Sequence, residues 1–432
     1  MSDFLRNIDG THFYEHQGYR DAVIIDDINI SIENIHFQLN MNKSCLKVIP
    51  KGEKKAIELS YYVGIDWINK ECSKAIYVQP KINRTANQTD YLKMLFSALQ
   101  HNGVVEHTNE LFEIKWNAPQ IMIEQHQDML TPLLIVQFLS LVKQIVRKGL
   151  KKSYYKVEAN LYSKVKGKVL VSQTIKQNQL KNKKLNTYCQ FEEFGFNGLE
   201  NRLLKKALVF VQRYMPTITN LNSTAYTTSL FNYINPAFEL ISDEVNINDV
   251  KHTKTNVFYK EYEEAIKLAK LILKRFGYNI NSTQDQKVKT PPFWIDMSKL
   301  FELYVLGLLK DRFGNELKYH FSIDGQELDY LIKSVDAEMV VDAKYKETYQ
   351  NSYNIEDIRQ ISGYARMNSV YNELNKNKNK NINCLIIYPD QKIERESLIN
   401  VDLTVMPIND FVHFYKIPIK LPTLTPSASS GL

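Results

Sequence analysis

The chain has 432 residues, with 55 Lys and Arg against 48 Asp and Glu for a net charge of +7, and 44% of its residues are hydrophobic. That length and apolar content call for about two or three domains with real cores. The four cysteines (Cys45, Cys72, Cys189, Cys384) lack C-x-x-C spacing, the start has no basic-then-apolar signal pattern, and no run of 18 apolar residues occurs. These features exclude a disulfide scaffold and a zinc ribbon, and the expectation is a cytoplasmic protein that is neither secreted nor membrane-spanning.

In chain order, residues 1–130 are rich in short β-type runs such as AVIIDDINISI (22–32), CLKVIP (45–50) and KAIYVQPKI (74–82), with a short helix expected over Tyr91–His101. A stronger helix is predicted over Thr131–Leu150, with Leu134, Phe138, Leu141, Val142 and Ile145 on one stripe and Pro132 in its first turn. From Lys143 to Lys184 the chain is basic, with the single acid Glu158 and with Tyr154, Tyr155 and Tyr162 interleaved. Lys164, Lys166 and Lys168 are therefore candidate phosphate contacts, and the tyrosines candidate base or sugar contacts; the alternative is an ordinary solvated surface.

Val169, Val171, Thr174 and Ile175 suit a strand, and an acidic-aromatic strand from Thr187 leads into a helix carrying Leu199, Leu203, Leu204 and Leu208. On its first turns lie Asn201, Arg202 and Lys205, with Arg202 equally suited to touching DNA or buttressing its own domain. A helix over Phe258–Phe276 has a regular apolar face of Tyr262, Ala265, Ile266, Ala269, Ile272 and Leu273 and reads as bundle core. The polar segment Asn279–Pro292, ending in two prolines, reads as a linker.

Beyond it, Leu300, Phe301, Tyr304, Val305, Leu308 and Leu309 form a helical stripe with Glu302 off its centre and Gly314 just past its end. The segment from Glu327 to Lys344 reads as a β-hairpin: Leu328, Tyr330 and Ile332 point one way, Asp329 and Leu331 the other, and Met339–Val341 lead into Asp342-Ala343-Lys344. A following helix carries Gln360 and Tyr364 four residues apart on one face, a polar NKNKNKN loop (375–381) follows it, and Asn383–Tyr388 is a buried strand. Residues 418–432, proline- and serine-rich, are expected to be disordered.

Asp329 and Asp342 at the ends of paired strands are hard oxygen donors suited to Mg²⁺, which keeps waters that substrate phosphate can displace. Period-2 geometry puts Lys344 on the same face as Asp342, where its ammonium could position a water or steady a pentacovalent phosphate. Glu302 could add a carboxylate from its helix, and Gln360 with Tyr364 could hold a phosphate or base nearby. His320 is read as structural or exposed. No G-x-x-x-x-G-K-[ST] occurs, so any use of GTP must come through a partner.

An acid followed by acid-x-Lys at a strand end resembles the PD-(D/E)xK nuclease signature, with Leu328 in place of the usual proline. Helix with Glu302, strand, strand with Asp329, strand with Asp342-x-Lys344, helix with Gln360 and Tyr364, then strand is similar in order to a restriction-endonuclease-like core. Together with KGKVLVSQTIKQN (166–178) and TYCQFEEFGFNGLENRLLKKAL (187–208), it resembles the McrC family, the nuclease subunit of McrBC modification-dependent restriction systems, over about residues 155–415.

That resemblance implies an α/β (α+β multidomain) chain: residues 1–130 a β-rich region engaging a hexameric McrB-like AAA+ GTPase and stimulating its GTP hydrolysis, 131–290 a middle α/β part with the basic stretch, 291–417 a nuclease domain with a mixed sheet flanked by helices, and 418–432 a tail. It further implies Mg²⁺-dependent hydrolysis of DNA methylated at cytosine, the methylation being recognised by the partner, with Asp329 and Asp342 as metal ligands and Glu302 and Lys344 beside them as catalytic groups. Two other functions fit the same residues, a partner-independent repair nuclease and a non-catalytic adaptor that activates a GTPase.

Overall fold

The computed structural model describes residues 3–6, 13–18, 23–25, 30–37, 43–52, 54–81, 89–99, 104, 107, 111–124, 128, 130–214, 225–250, 260–277, 287–323 and 326–423. Short strands open the chain: β1 (Asp3–Phe4), β2 (Phe13–Tyr14), β3 (Val23–Ile25), β4 (Asn34–His36), β5 (Ser44–Lys51), β6 (Lys54–Leu59), β7 (Tyr62–Trp67) and β8 (Lys74–Gln79). Then come α1 (Tyr91–Leu99), β9 (Phe112–Ile114), β10 (Ile121–Glu124) and α2 (Leu130–Lys148). The middle of the chain holds β11 (Ser153–Tyr162), β12 (Lys168–Val169), α3 (Val171–Thr174), β13 (Asn186–Gly195), α4 (Leu199–Tyr214), α5 (Ala225–Ile234) and α6 (Lys260–Gly277). Last are β14 (Lys287–Thr290), β15 (Phe293–Asp296), α7 (Met297–Phe313), β16 (Leu317–Ile323), β17 (Gln326–Lys333), β18 (Glu338–Ala343), α8 (Ile355–Ala365), α9 (Asn368–Leu374), β19 (Asn383–Pro389) and β20 (Phe414–Ile419).

Two compact units result, residues 1–136 with 282–432, and residues 137–281. This differs from three consecutive parts. Within the expected linker, β14 pairs antiparallel with β10, and just beyond it β15 lies between β7 and β9 in one sheet ordered β1-β8-β7-β15-β9, with β2 also on β8. The segment therefore completes sheets begun in the first 130 residues. Its polar composition hid this, and residues 278–286 lie outside the described residues. Trp294 is wholly buried in β15 and donates its indole N–H to Asp66 (2.8 Å), a buried carboxylate that also pairs with Lys115 at 2.6 Å. Gly64 permits the close approach, since a Cβ there would stand 2.1 Å from the Phe293 carbonyl oxygen. A second sheet, ordered β3-β6-β5-β4, confirms the β-rich reading of residues 1–130.

The last sheet has the order β16-β17-β18-β19-β20, its first three strands antiparallel and its last two added in parallel. α8 and α9 cover one face, where Ile358, Ile361, Val370 and Leu374 pack with Leu331, Val340, Cys384 and Ile386. α7 covers the other, joined by the Tyr330 hydroxyl donating to the Glu302 carbonyl oxygen at 2.6 Å. Asp296 caps α7 by accepting from the Lys299 amide (3.0 Å), and Gly314 ends it at φ +51°. The expected single stripe understates this helix: Leu303, Leu306 and Gly307 are buried too, because α1 packs on its far side. Gly307 meets Ala98 there, where a Cβ would lie 3.0 Å from the Ala98 Cα.

In residues 137–281, β11 and β13 form a ten-residue antiparallel pair from Ser153↔Gly195 to Tyr162↔Asn186. The expected strand through Val171 and Thr174–Ile175 is corrected: only Lys168–Val169 pairs, against Gln190 and Cys189, and the chain then turns helical. Thr174 uses its hydroxyl to accept from the Tyr188 amide at 3.0 Å, which the local helix permits. α2 is long and apolar enough to cross a membrane by composition alone, but 78% of that window is buried inside the protein, as in a core helix. Disorder from 418 is also corrected. Pro418 and Ile419 belong to β20 and Leu421 is fully buried; residues 424–432 lie outside the described residues.

Candidate active site

The site forms where the ladder between β17 and β18 ends. Its last pair is Tyr330↔Val341, so the next residues on the two strands are Asp329 and Asp342. β18 meanwhile stays paired with β19 through Ala343↔Ile387, and the Lys344 amide donates to the Ile387 carbonyl at 2.9 Å. The strands thus part with a carboxylate on each side of the split. Asp329 fills part of it by accepting from the Ala343 amide at 3.1 Å.

Asp342 is 3% exposed. Its Oδ2 lies 2.8 Å from the Lys344 ammonium, an ion pair. Burial, then the charges of Asp342 and Glu302, push the Asp329 carboxyl well above its usual range. Burial disfavours the Lys344 ammonium, but Asp342 and Asp329 outweigh it and raise its pKa, so Lys344 is a cation at neutral pH. From Lys344 a line of hydrogen bonds continues: its ammonium donates to Gln360 Oε1 (3.1 Å), and Gln360 Nε2 donates to the Tyr364 hydroxyl (3.1 Å). Asn354 caps α8, accepting from Glu356 N at 2.8 Å, and Lys346 binds both oxygens of Asp357 at 2.8 Å, which ties α8 to the strand end.

Glu302 enters from α7, and Oε1 accepts from Tyr319 OH (2.5 Å) and Lys299 Nζ (3.1 Å) and lies 2.8 Å from His320 Nε2. Burial pushes its carboxyl up, but the bonds from His320, Lys299 and Tyr319 more than offset this and bring it to about 2. His320 sits at φ +50°, where the β16–β17 ladder skips His320 and Asp329, and its Nδ1 is 2.5 Å from Glu327. Sequence reasoning missed this cluster of Lys299, Tyr319 and His320. Lys299 was legible at three residues before Glu302 on a helix; the left-handed backbone of His320 leaves no mark on the side-chain pattern.

Asp329, Asp342, Lys344, Gln360 and Tyr364 are therefore brought together, with Glu302 near enough to act on Asp329. The two aspartates fit a hard divalent cation: one is raised by burial and then by its neighbour's charge, and the other is a buried carboxylate whose Oδ2 faces the Lys344 ammonium at 2.8 Å. Among the described residues no three His, Cys, Asp or Glu side chains already converge as a ligand set, in keeping with Glu302 being held by its own donors.

Lys164, Lys166, Lys168 and Arg202 belong to the unit 137–281. Lys164, Lys166 and Lys168 are exposed; Lys166 pairs with Glu193 (3.1 Å) and lies 4.0 Å from the centre of the Phe191 ring. Arg202 uses Nε on the Asn197 carbonyl (2.9 Å) and side chain (3.0 Å), and Asn201 bridges Lys151, Phe196 and Tyr262. Both side chains thus make hydrogen bonds within their own unit.

A sequence profile described as McrBC 5-methylcytosine restriction system component matches residues 57–389. Two solved structures are similar to the chain. One is a refined half-complex from a tetradecameric assembly of Thermococcus gammatolerans McrB AAA+ hexamers with bound McrC (16% identity, 86% of this chain and 80% of that one, TM-score 0.35). The other is the cryo-EM structure of the Thermococcus gammatolerans McrBC complex (15% identity, 83% and 89%, TM-score 0.30). No curated protein sequence matches significantly. With the profile spanning 333 of 432 residues, the chain belongs to the family of McrBC 5-methylcytosine restriction system components.

Proposed function

We propose that the chain is the McrC-type nuclease subunit of such a system, a metal-dependent endodeoxyribonuclease of the PD-(D/E)xK kind that works with a McrB-like AAA+ GTPase. The carrying observation is the continuous arrangement of Asp329, Asp342, Lys344, Gln360 and Tyr364 around the parting of β17 and β18. Family membership and the absence of a P-loop from the sequence support assigning the GTPase to a partner.

Asp329 and Asp342 would hold the Mg²⁺. When bound, it would neutralise phosphate charge and lower the pKa of a water. The rest falls to the chain. Lys344, protonated beside Asp342, is no general base; it donates hydrogen bonds, to the attacking water or to a non-bridging phosphate oxygen. Gln360 and Tyr364 extend that donor line along α8, where a strand's next phosphate would lie. Glu302 stays ionised at neutral pH and adds negative potential that favours the cation beside Asp329.

The test is Mg²⁺-dependent cleavage of methylated and unmethylated plasmid, with and without the GTPase and GTP. Cutting only of methylated DNA with partner and GTP supports the reading. Cutting by the chain alone would favour a repair nuclease, and GTPase stimulation without any cutting would favour an adaptor.

A further inference from the structure

The residue after Lys344 is anchored in an unusual way. Tyr345 is 3% exposed; its hydroxyl donates to Glu15 Oε1 (2.9 Å) and its carbonyl oxygen accepts from the Lys81 ammonium (2.8 Å). That ammonium lies 3.9 Å from the Tyr345 ring centre and 4.8 Å from that of Tyr61. Glu15 closes the circuit by accepting from the Lys81 amide at 3.1 Å, and it is wholly buried, with Lys81 8% exposed. Both come from the first 81 residues, Glu15 just after β2 and Lys81 just after β8. Buried charges are costly unless their geometry is closely satisfied. Here burial pushes the Glu15 carboxyl above its usual range, and its Oε1 and the Lys81 ammonium both bind one residue of the strand end.

On the other side of Lys344, Lys346 is tied to Asp357 of α8. The backbone that carries Lys344 is therefore gripped from two directions, one by the nuclease's own helix and one by the N-terminal residues. Assuming the nuclease reading above, we propose that Glu15 and Lys81 are positioning residues for cleavage, which hold Tyr345 and through it aim the Lys344 ammonium between Asp342 and Gln360. The N-terminal sheet is on this account part of the catalytic apparatus in cis.

The test uses the full chain with its GTPase partner, GTP, Mg²⁺ and modified plasmid. Two variants are compared with wild type: Tyr345→Phe, which deletes one hydroxyl, and the double variant Glu15→Gln with Lys81→Met, which removes the buried carboxyl and the ammonium at similar volume. Misplacing a catalytic group by about 1 Å costs up to about 100-fold. The double variant should lose roughly 10- to 100-fold in kcat and Tyr345→Phe a smaller factor of about 3 to 10, with KM for DNA and stimulation of GTP hydrolysis within about twofold of wild type. A merely structural role would instead lower cleavage and GTPase stimulation in parallel, and that result overturns the proposal. So does an unchanged kcat in a variant that melts like wild type. If the double variant fails to fold, Tyr345→Phe decides alone. Failure of wild type to cut under any condition would overturn the nuclease reading and this inference with it, and is told apart by the wild-type lane.

Discussion

At the scale of single residues, the site is governed by carboxylates with opposite tendencies. Glu302 is held at about 2 against an ordinary carboxyl value of 4.5, so its contribution to stability is present above 4.5 and lost as pH falls toward 2. Melting temperatures of wild type should drop more steeply across that window than those of Glu302→Gln, and parallel acid curves would contradict the assignment. Asp329 is raised instead, so its protonated form stabilises the cation-free protein below the usual carboxylate range, and this is lost as pH rises through its elevated pKa. A divalent cation competes with that proton. The apparent Mg²⁺ affinity measured by calorimetry should therefore increase with pH until the elevated pKa of Asp329 is passed, with proton release, and Asp329→Asn, which removes a ligand, should lose most of the binding. The acid-x-Lys spacing made Asp342 and Lys344 legible because a strand repeats every two residues. Two partners of Glu302 were not legible, since Tyr319 and His320 reach it only through the sheet.

At the scale of elements, strong periodicity was a sound guide. The helix predicted over Thr131–Leu150 is α2 within two residues at each end, and the hairpin from Glu327 to Lys344 is β17 and β18. Short polar strands were not, because Lys287–Thr290 is a strand only through pairing with β10. Val171 and Ile175 misled for the same physical reason, as β-branched residues record a preference for a half-buried surface and these two are exposed. α7 is the element on which the site depends, since it carries Glu302 and packs on α1 through Gly307. Gly307→Leu should cost about 1–3 kcal/mol or more by overpacking against Ala98 and lower the melting temperature by several degrees. A neutral effect would show that α1 can shift away freely.

At the scale of the whole molecule, the polar segment from Asn279 marked where one unit ends, but composition could not show that the chain then re-enters the first sheet to give units 1–136 with 282–432 and 137–281. The exposed Lys164, Lys166 and Lys168 lie with Tyr162 near one end of the β11–β13 pair, on a unit without any of the candidate-site residues. If they bind phosphates, the triple replacement by Ala should weaken DNA binding uniformly across sequences and reduce the salt slope by up to about three, while a binding isotherm identical to wild type would assign them to solvent.

The central claim is that Asp329, Asp342 and Lys344 form a metal-dependent phosphodiesterase site. The most direct test measures Mg²⁺ binding and single-turnover plasmid cleavage side by side for wild type, Asp342→Asn and Lys344→Ala, in the presence of the GTPase and GTP. Lys344→Ala should still bind Mg²⁺ and lose about 100-fold or more in cleavage, whereas Asp342→Asn should lose both. Cleavage retained by Lys344→Ala, or Mg²⁺ bound equally by Asp342→Asn, would contradict the account.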